Sequence, residues 1–177
     1  MVWLAAALLP GLVAAAPAKK PAPRPAVPVP MRLPANVEPL GYDLHLAIAP
    51  DQPRHSGSVA IALKLHQALP ANGTLRLHAS GLQLGAVWLE VGAKRWPGKV
   101  LRVDEERVDL QFKPALPAGR ARLAIEFAGA VTDKEVYGLF RQQDAGHWMV
   151  ETQFEAPGAR QAFPLFDEPG WKEPWRV

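Results

Sequence analysis

The sequence predicts an all-β protein, built as an antiparallel β-sandwich or saddle-like sheet of about eight to ten strands. From residue 42 onward, apolar residues alternate with polar or small ones. This period of two is typical of strands with one face in a core and one in water. Clusters of Pro, Gly, Asn and Asp separate the alternating runs, as turns do. No window of helical length carries a sustained amphipathic pattern.

The alternating runs form a regular series along the chain. They occupy residues 42–48, 59–65, 75–77, 108–112, 123–127 and 148–152, with turn signals at 50–51, 70–73, 96–98, 117–119 and 145–146. One short helical turn is predicted near residues 159–163. His45, His66 and His78 fall at polar positions of these runs, so we expect their imidazoles to be exposed. We also expect the acidic run at 104–106 to lie in a solvated turn.

Residues 1–16 have the character of a signal peptide. They are apolar and end in Ala14-x-Ala16, a small-residue pattern that signal peptidase cleaves. No Lys or Arg precedes the apolar core, so an uncleaved or internal apolar segment is the alternative. Because Pro10 and Gly11 interrupt the segment and it is short for a bilayer, we expect no stable membrane span.

Residues 17–34 are predicted to form an extended Pro/Ala-rich linker ahead of the folded domain at 35–177. The linker holds four basic residues and no acid, a net charge of +4 in a chain whose total is +3. Residues 35–177 therefore carry a net charge of −1 by the same count. The basic character lies in the linker rather than on a binding face, so nucleic-acid binding is not expected.

The residue types exclude several kinds of active site. There is no cysteine, which rules out disulfides, thiolate catalysis and Cys-ligated zinc. The sequence also has no His-Glu-x-x-His pair, no Gly-x-Ser-x-Gly elbow and no Gly-rich phosphate loop. We therefore predict neither a catalytic residue nor a complete metal site in this chain.

The segment at residues 152–169 is the most unusual part of the chain, and it reads TQFEAPGARQAFPLFDEP. Taken on residue types alone, Gln153 and Glu155 end a strand, and aromatic residues pack the following loop against the sheet. Arg160, Asp167 and Glu168 then form local ion pairs or cap turns. A carboxylate at the lip of a sheet needs no catalytic role.

Together with four other short motifs, this segment resembles the aminopeptidase N family of zinc metallopeptidases. The segment itself is similar to that family's TQFE…AR.AFP.FDEP pattern. The other motifs occur in the same order as in the family: RLP at 32–34, YDLHL at 42–46, SGSVAI at 56–61 and GLFR at 138–141. The resemblance extends from about residue 32 to the C-terminus.

The resemblance implies a fold and a role. In that family the N-terminal domain is a β-saddle that caps a catalytic domain, and the glutamate of TQFE holds the substrate's α-ammonium. By this match Glu155 binds the substrate amine, and Gln153 lines the pocket for the first side chain and contacts the peptide backbone. Arg160, Phe163, Pro164, Asp167, Glu168 and Lys172 match scaffold positions. Leu165 stands where a cysteine is common, and we expect it to be buried.

The resemblance also implies what lies outside this chain. The family's Gly-x-Met-Glu-Asn strand, His-Glu-x-x-His helix and further zinc-binding glutamate would follow Val177. We therefore expect a domain that is incomplete at its C-terminus. It would have no cofactor of its own and would be inactive alone, with zinc in the complete enzyme.

The resulting hypothesis is a substrate-anchoring domain of an exported zinc aminopeptidase, periplasmic or secreted. Its partners would be peptide N-termini and a zinc-bearing catalytic domain, downstream or in trans. One alternative is a non-catalytic β-saddle that serves as a scaffold or protein-interaction domain. Another is a carbohydrate-binding β-sandwich, for which Trp88, Trp96 and Trp148 would have to form an exposed platform.

Overall fold

A computed structural model describes residues 32–177, so the predicted signal peptide at 1–16 and most of the linker lie outside the described residues. The described part contains ten strands and one 3₁₀ turn, Gly158–Gln161. The strands are β1 (Val37–Ile48), β2 (Arg54–Leu65), β3 (Thr74–His78), β4 (Gln83–Val91), β5 (Lys94–Arg102), β6 (Arg107–Phe112), β7 (Gly119–Ala130), β8 (Gly138–Asp144), β9 (His147–Gln153) and β10 (Trp175–Arg176).

Two sheets make up this part of the chain. Eight strands form one sheet in the order β10-β1-β2-β7-β4-β5-β6-β3, and β8 and β9 form a separate hairpin. The long strands β2 and β7 pair antiparallel over all twelve of their residues. The all-β prediction is confirmed, and the 3₁₀ turn at Gly158–Gln161 overlaps the helical turn predicted at residues 159–163. Among the strands of residues 32–177, only β10 departs from the antiparallel pattern, because it pairs parallel with β1.

The core lies on the inner face of the large sheet, as the alternation predicted. Every second residue of the central strands is buried, and their neighbours face out. Burying one such side chain stabilises the fold by about 1.5–3 kcal/mol. The most completely buried large side chains come from β1, β2, β3, β4, β6 and β7: Pro39, Val59, Ile61, Leu63, Leu75, Leu77, Leu89, Val108, Leu110, Phe112, Leu123 and Ile125.

The prediction of an exposed imidazole is wrong for His78. His45 and His66 are exposed as predicted, but His78 is only 2% exposed. The reason is a second layer: β3 ends at the sheet edge, and the loop carrying Leu165 covers it there. The backbone N–H of His78 donates to the Leu165 carbonyl at 2.9 Å, and the Leu165 N–H donates back at 3.1 Å. Alternation separates the two faces of a sheet, but it says nothing of what covers the outer face.

Candidate functional site

The candidate site lies at the end of the β8–β9 hairpin. The two strands pair from Asp144 opposite His147 to Gly138 opposite Gln153. Gln153 is the last residue of β9, and Glu155 follows two positions later; both side chains are exposed. The side-chain Oε1 of Gln153 accepts a hydrogen bond from the Glu155 N–H at 3.2 Å. Within residues 32–177, the Glu155 carboxylate forms no ion pair.

Gln153 and Glu155 lie on either side of a residue that anchors them. Phe154 is half-buried, and its ring meets that of Phe163 edge-on, with centroids 5.6 Å apart. Such aromatic pairs contribute about 0.5–1.5 kcal/mol beyond their buried area. The Phe154 ring therefore ties the chain to the loop beneath it, and the two polar residues extend from a supported backbone.

Two glycines allow the 3₁₀ turn to pack against the strand end. A Cβ on Gly158 would lie 2.5 Å from the Gln153 carbonyl oxygen, closer than real Cβ contacts. Gly138, opposite Gln153, has a φ of +70°, and a Cβ there would lie 2.8 Å from Oε1 of Gln161. Glycine is the residue that fits both positions. The strand end is therefore packed against backbone at Gly158 and against the Gln161 side chain at Gly138.

Arg160 ties the 3₁₀ turn to two other parts of the fold. Its Nε donates to Asp167 at 2.9 Å and its Nη1 donates to Glu106 at 2.9 Å, while the residue is only 9% exposed. Of the two local roles predicted for Arg160 and Asp167, an ion pair or a turn cap, the structure shows an ion pair between them. Glu106 lies in the β5–β6 turn, which is therefore not simply solvated, since Asp104 in the same turn also pairs with Arg107 at 2.7 Å.

The loop after the 3₁₀ turn packs on the sheet as predicted. Phe163, Leu165 and Phe166 are buried, and the rings of Phe166 and Trp171 meet edge-on at 5.9 Å. The buried Tyr42 hydroxyl accepts the Phe166 N–H at 3.2 Å, and burial raises the pKa of this phenol. These contacts hold the loop that supports the candidate site, and they do not form part of the site itself.

Further hydrogen bonds fasten the same segment to the stretch before β1, to β2 and to β3. The Glu168 carboxylate accepts the backbone N–H of Leu33 at 2.8 Å. The ring of His55, buried in β2, lies with Nε2 2.8 Å from the Ala162 carbonyl, so this nitrogen carries the proton and donates. His78 Nδ1 accepts the Asp167 N–H at 3.2 Å. Burial, with the nearby Arg160 guanidinium as second cause, lowers the pKa of His78 to about 4.

The three tryptophans do not form one bare platform. All three are half-buried. The Arg95 guanidinium lies 4.4 Å from the centroid of the Trp88 ring, and Arg141 lies 4.3 Å from that of Trp148. Trp96 packs against the core. Two of the three rings therefore already stack with a cation on the protein, and this part of the structure gives the carbohydrate alternative no support.

No group of three or more His, Asp or Glu side chains able to hold a metal ion occurs in residues 32–177. The same residues contain no helix that is long and apolar enough to cross a membrane. What the described site offers chemically is one free carboxylate beside a carboxamide, both exposed at a supported strand end.

Comparisons with known proteins give this arrangement a context. The sequence profile of the peptidase M1 N-terminal domain matches residues 38–177. The chain is 31% identical over 156 residues to aminopeptidase M1-A of Oryza sativa subsp. japonica. It is 30% identical over 163 residues to membrane alanyl aminopeptidase of Heliothis virescens, and 28% over 157 residues to endoplasmic reticulum aminopeptidase 1 of Rattus norvegicus. These alignments cover 82%, 84% and 83% of this chain but only 17%, 16% and 17% of the three relatives.

Proposed function

Because this chain belongs to the peptidase M1 family through its N-terminal domain, we propose that it anchors the substrate of a zinc aminopeptidase, with Glu155 binding the α-ammonium of a peptide. One observation supports this role above the others: the Glu155 carboxylate is exposed and has no cationic partner within residues 32–177, while its backbone N–H is held by the Gln153 side chain. An exposed carboxylate with no ion pair is available to a cationic ligand.

The chemistry of the contact is simple. An ionised carboxylate facing an ammonium group forms a charge-assisted hydrogen bond, which is about twice as strong as a neutral one. Holding the peptide's free end at one place sets the distance from that end to the scissile bond. The contact therefore selects substrates with an unblocked N-terminus and favours release of one residue at a time.

Gln153 is proposed to contact the peptide backbone beside its first side chain. Its Oε1 is engaged by the Glu155 N–H, so the Nε2 amide hydrogens remain as donors. A donor at this position suits a carbonyl oxygen of the bound peptide. Gln153 thus has two roles in the proposal, one toward Glu155 and one toward the substrate.

The metal belongs to another part of the proposed enzyme. Residues 32–177 offer no ligand set that fits zinc, so a separate catalytic domain, downstream or in trans, would hold it. The chain spans about a sixth of the length of the relatives named above. On this proposal the isolated chain binds peptide N-termini weakly and does not hydrolyse them.

Export is also part of the proposal. It rests on the sequence of residues 1–16, with residues 17–34 as a spacer ahead of a domain at 35–177. The names of two relatives place those proteins at a membrane and in the endoplasmic reticulum. N-terminal sequencing of envelope material should find a mature end at Pro17 or Ala18, and material that still begins at Met1 would contradict cleavage.

The decisive experiment replaces Glu155 in an enzyme that contains this domain. Glu155→Gln keeps the shape and removes the charge, so peptides with a free N-terminus should lose roughly 1.5–3 kcal/mol of transition-state stabilisation, about one to two orders of magnitude in kcat/KM. N-acetylated peptides should barely distinguish the two enzymes.

Two matched variants separate this role from charge loss and from instability. Glu151→Gln removes the same charge from an exposed position of β9 and should leave kcat/KM unchanged. Glu168→Gln weakens the contact to Leu33 and should lower stability with little effect on the turnover of folded enzyme. Equal catalytic losses at Glu151 and Glu155, or none at Glu155, would contradict the anchoring role and leave Glu155 as an ordinary strand-end carboxylate.

A further inference from the structure

The hairpin that carries the candidate site is not paired with the large sheet. Within residues 32–177, β8 and β9 form a two-stranded sheet of their own. An isolated bridge joins Phe140 to Thr132, and the N–H of Arg141 donates to the Thr132 carbonyl at 2.7 Å. Leu139 packs into the core. The position of the hairpin therefore depends on a few local contacts rather than on a continuous ladder of strand hydrogen bonds.

The side chain of Arg141, in β8, makes three of these contacts. Its Nη1 donates to the Asp51 carbonyl at 2.9 Å, in the turn between β1 and β2. Its Nη2 donates to the Asp133 carboxylate at 3.1 Å, in the segment between β7 and β8. The guanidinium also lies over the ring of Trp148 in β9, 4.3 Å from its centroid. One side chain therefore joins both strands of the hairpin to two segments outside it.

The burial of this guanidinium is not explained by stability. The Arg141 side chain is 11% exposed, and its Nε is buried with no hydrogen-bond partner among the described residues. A buried donor that is left unpaired lowers the free energy of unfolding. An apolar side chain of similar length would avoid that cost, and the Asp133 carboxylate, 43% exposed, would regain water. What an apolar side chain cannot supply is the fixed geometry of the planar guanidinium fork.

The hairpin connects Arg141 to the candidate site. In its antiparallel register Arg141 lies opposite Val150, and Gly138, three residues earlier, lies opposite Gln153. Three residues of a strand span about 10 Å. The N–H of Glu155 is bonded in turn to the Gln153 side chain. A small rotation of the hairpin about Arg141 would therefore move the Glu155 carboxylate, and a misplacement of about 1 Å can cost an enzyme roughly a hundred-fold in rate.

We propose that Arg141 is a positioning residue for the candidate site. Its guanidinium fixes the angle of the β8–β9 hairpin on the fold, and this angle sets where the Glu155 carboxylate meets the substrate amine. The inference rests on the role proposed above for Glu155. The largely buried Arg141 side chain does not touch the substrate, so its whole effect on catalysis passes through Glu155.

Arg141→Met in the full chain tests the attachment of the hairpin. Methionine keeps most of the length of the side chain and its contact with the Trp148 ring, but it removes both hydrogen bonds. We expect the backbone amide of residue 141 to exchange roughly ten-fold faster, while Ile61, in the centre of β2, keeps its protection. Arg95→Met is the matched control, because it removes a similar stack, 4.4 Å from the centroid of the Trp88 ring, from a strand outside the hairpin. It should leave exchange at both amides unchanged.

A double-mutant cycle in an enzyme that contains this domain tests the link to Glu155. Arg141→Met should lower kcat/KM for peptides with a free N-terminus by roughly ten-fold. In an enzyme that already carries Glu155→Gln, the same substitution should change kcat/KM by less than about two-fold, because the carboxylate that Arg141 positions is gone. Arg141→Lys keeps a cation for Asp133 and should recover part of the loss. If Arg141→Met did not fold, Asp133→Asn would replace it in both tests, with smaller changes in the same direction.

Three outcomes would overturn the proposal. Unchanged exchange at residue 141 would mean that Arg141 does not hold the hairpin. Faster exchange with an unaltered kcat/KM would mean that the attachment of the hairpin does not position the site. Equal losses with and without Glu155→Gln would mean that Arg141 acts by another route. Glu155→Gln alone tests the anchoring role separately, so a loss there without a loss in Arg141→Met would remove this inference and leave the anchoring role in place.

Discussion

The side-chain Oε1 of Gln153 lies 3.2 Å from the backbone nitrogen of Glu155 and accepts its hydrogen bond. The contact closes a small ring at the point where β9 has ended and no cross-strand partner is left. A short polar side chain that bonds the backbone two residues on stabilises an extended turn in the same way. The residue proposed to contact the substrate backbone therefore also orders the residue proposed to bind its amine.

The Gln153→Ala variant should show that Gln153 orders Glu155 without contributing much to the stability of the fold. Both residues are exposed, so we expect a stability change within about 0.5 kcal/mol in urea unfolding. In an enzyme that contains the domain, kcat/KM for free peptides should fall, because Glu155 loses its tether and the peptide loses a donor. Gln143→Ala, an exposed position of β8, is the matched control and should change neither quantity. An unaltered kcat/KM in Gln153→Ala would show that the tether has no function.

Gly158→Ala should damage the same strand end through the backbone. A Cβ at this position meets the Gln153 carbonyl at 2.5 Å, so either the 3₁₀ turn or the end of β9 must move. Overpacking of this kind costs about 1–3 kcal/mol, which the midpoint of urea unfolding would report. Gly170→Ala is the control, since a Cβ there meets nothing within 4 Å. Equal stability of the two variants would contradict the packing argument.

Protonation of His78 should make the stability of the fold depend on pH. Its pKa is lowered from 6.5 to about 4, so the unfolded chain binds the proton more readily in that window. The contribution of neutral His78 to the free energy of unfolding is complete above about pH 6.5 and is lost as the pH falls toward 4. The difference amounts to about 3 kcal/mol at most. The groups facing the ring are Arg160, Asp167, Glu168 and Glu106, and the three carboxylates partly offset the arginine.

Unfolding measured from pH 7 to pH 4 checks this expectation. The wild-type chain should lose stability through the window, whereas His78→Gln, which cannot titrate, should start less stable and show a smaller slope. His45→Gln removes an exposed imidazole and is the control for the loss of a histidine side chain. If His78→Gln and the wild type had the same slope, another group would be responsible.

Much of this fold was predictable because its pattern is local. The burial of Ile61 and Leu63 in β2 and of Leu123 and Ile125 in β7 follows from a period of two that any short window displays. His55 was not predicted to be buried, yet the signal was present. It lies in phase with the inward residues of β2, four positions before Val59, and extending the run backward would have placed it in the core.

The features that escaped prediction depend on contacts between distant segments. Glu106 and Arg160 are 54 positions apart, and only the folded loop brings them together. The parallel pairing of β10 involves two residues, too few for any period to show. The covering of His78 has the same origin, since its partner Leu165 lies in a loop with no strand pattern. Gln153 and Glu155 were singled out by a motif, and their hydrogen bond spans only two residues.

Arg160 provides the last test, because it joins three segments through one buried side chain. Its guanidinium bonds Asp167 through Nε and Glu106 through Nη1, and a lysine ammonium cannot reproduce that fork. We expect Arg160→Lys to lower the free energy of unfolding by about 1–3 kcal/mol, mostly through the lost bond to Asp167, whose side chain is only 26% exposed. Glu106→Gln should cost less, since its carboxylate is 53% exposed and regains water. Urea unfolding of the two variants gives the order of the two losses, and a larger loss for Glu106→Gln would contradict the expectation.

Because Arg160 lies in the turn that packs against Gln153, Arg160→Lys should also speed amide exchange at Gln153 and Glu155, whereas Glu106→Gln should leave it nearly unchanged.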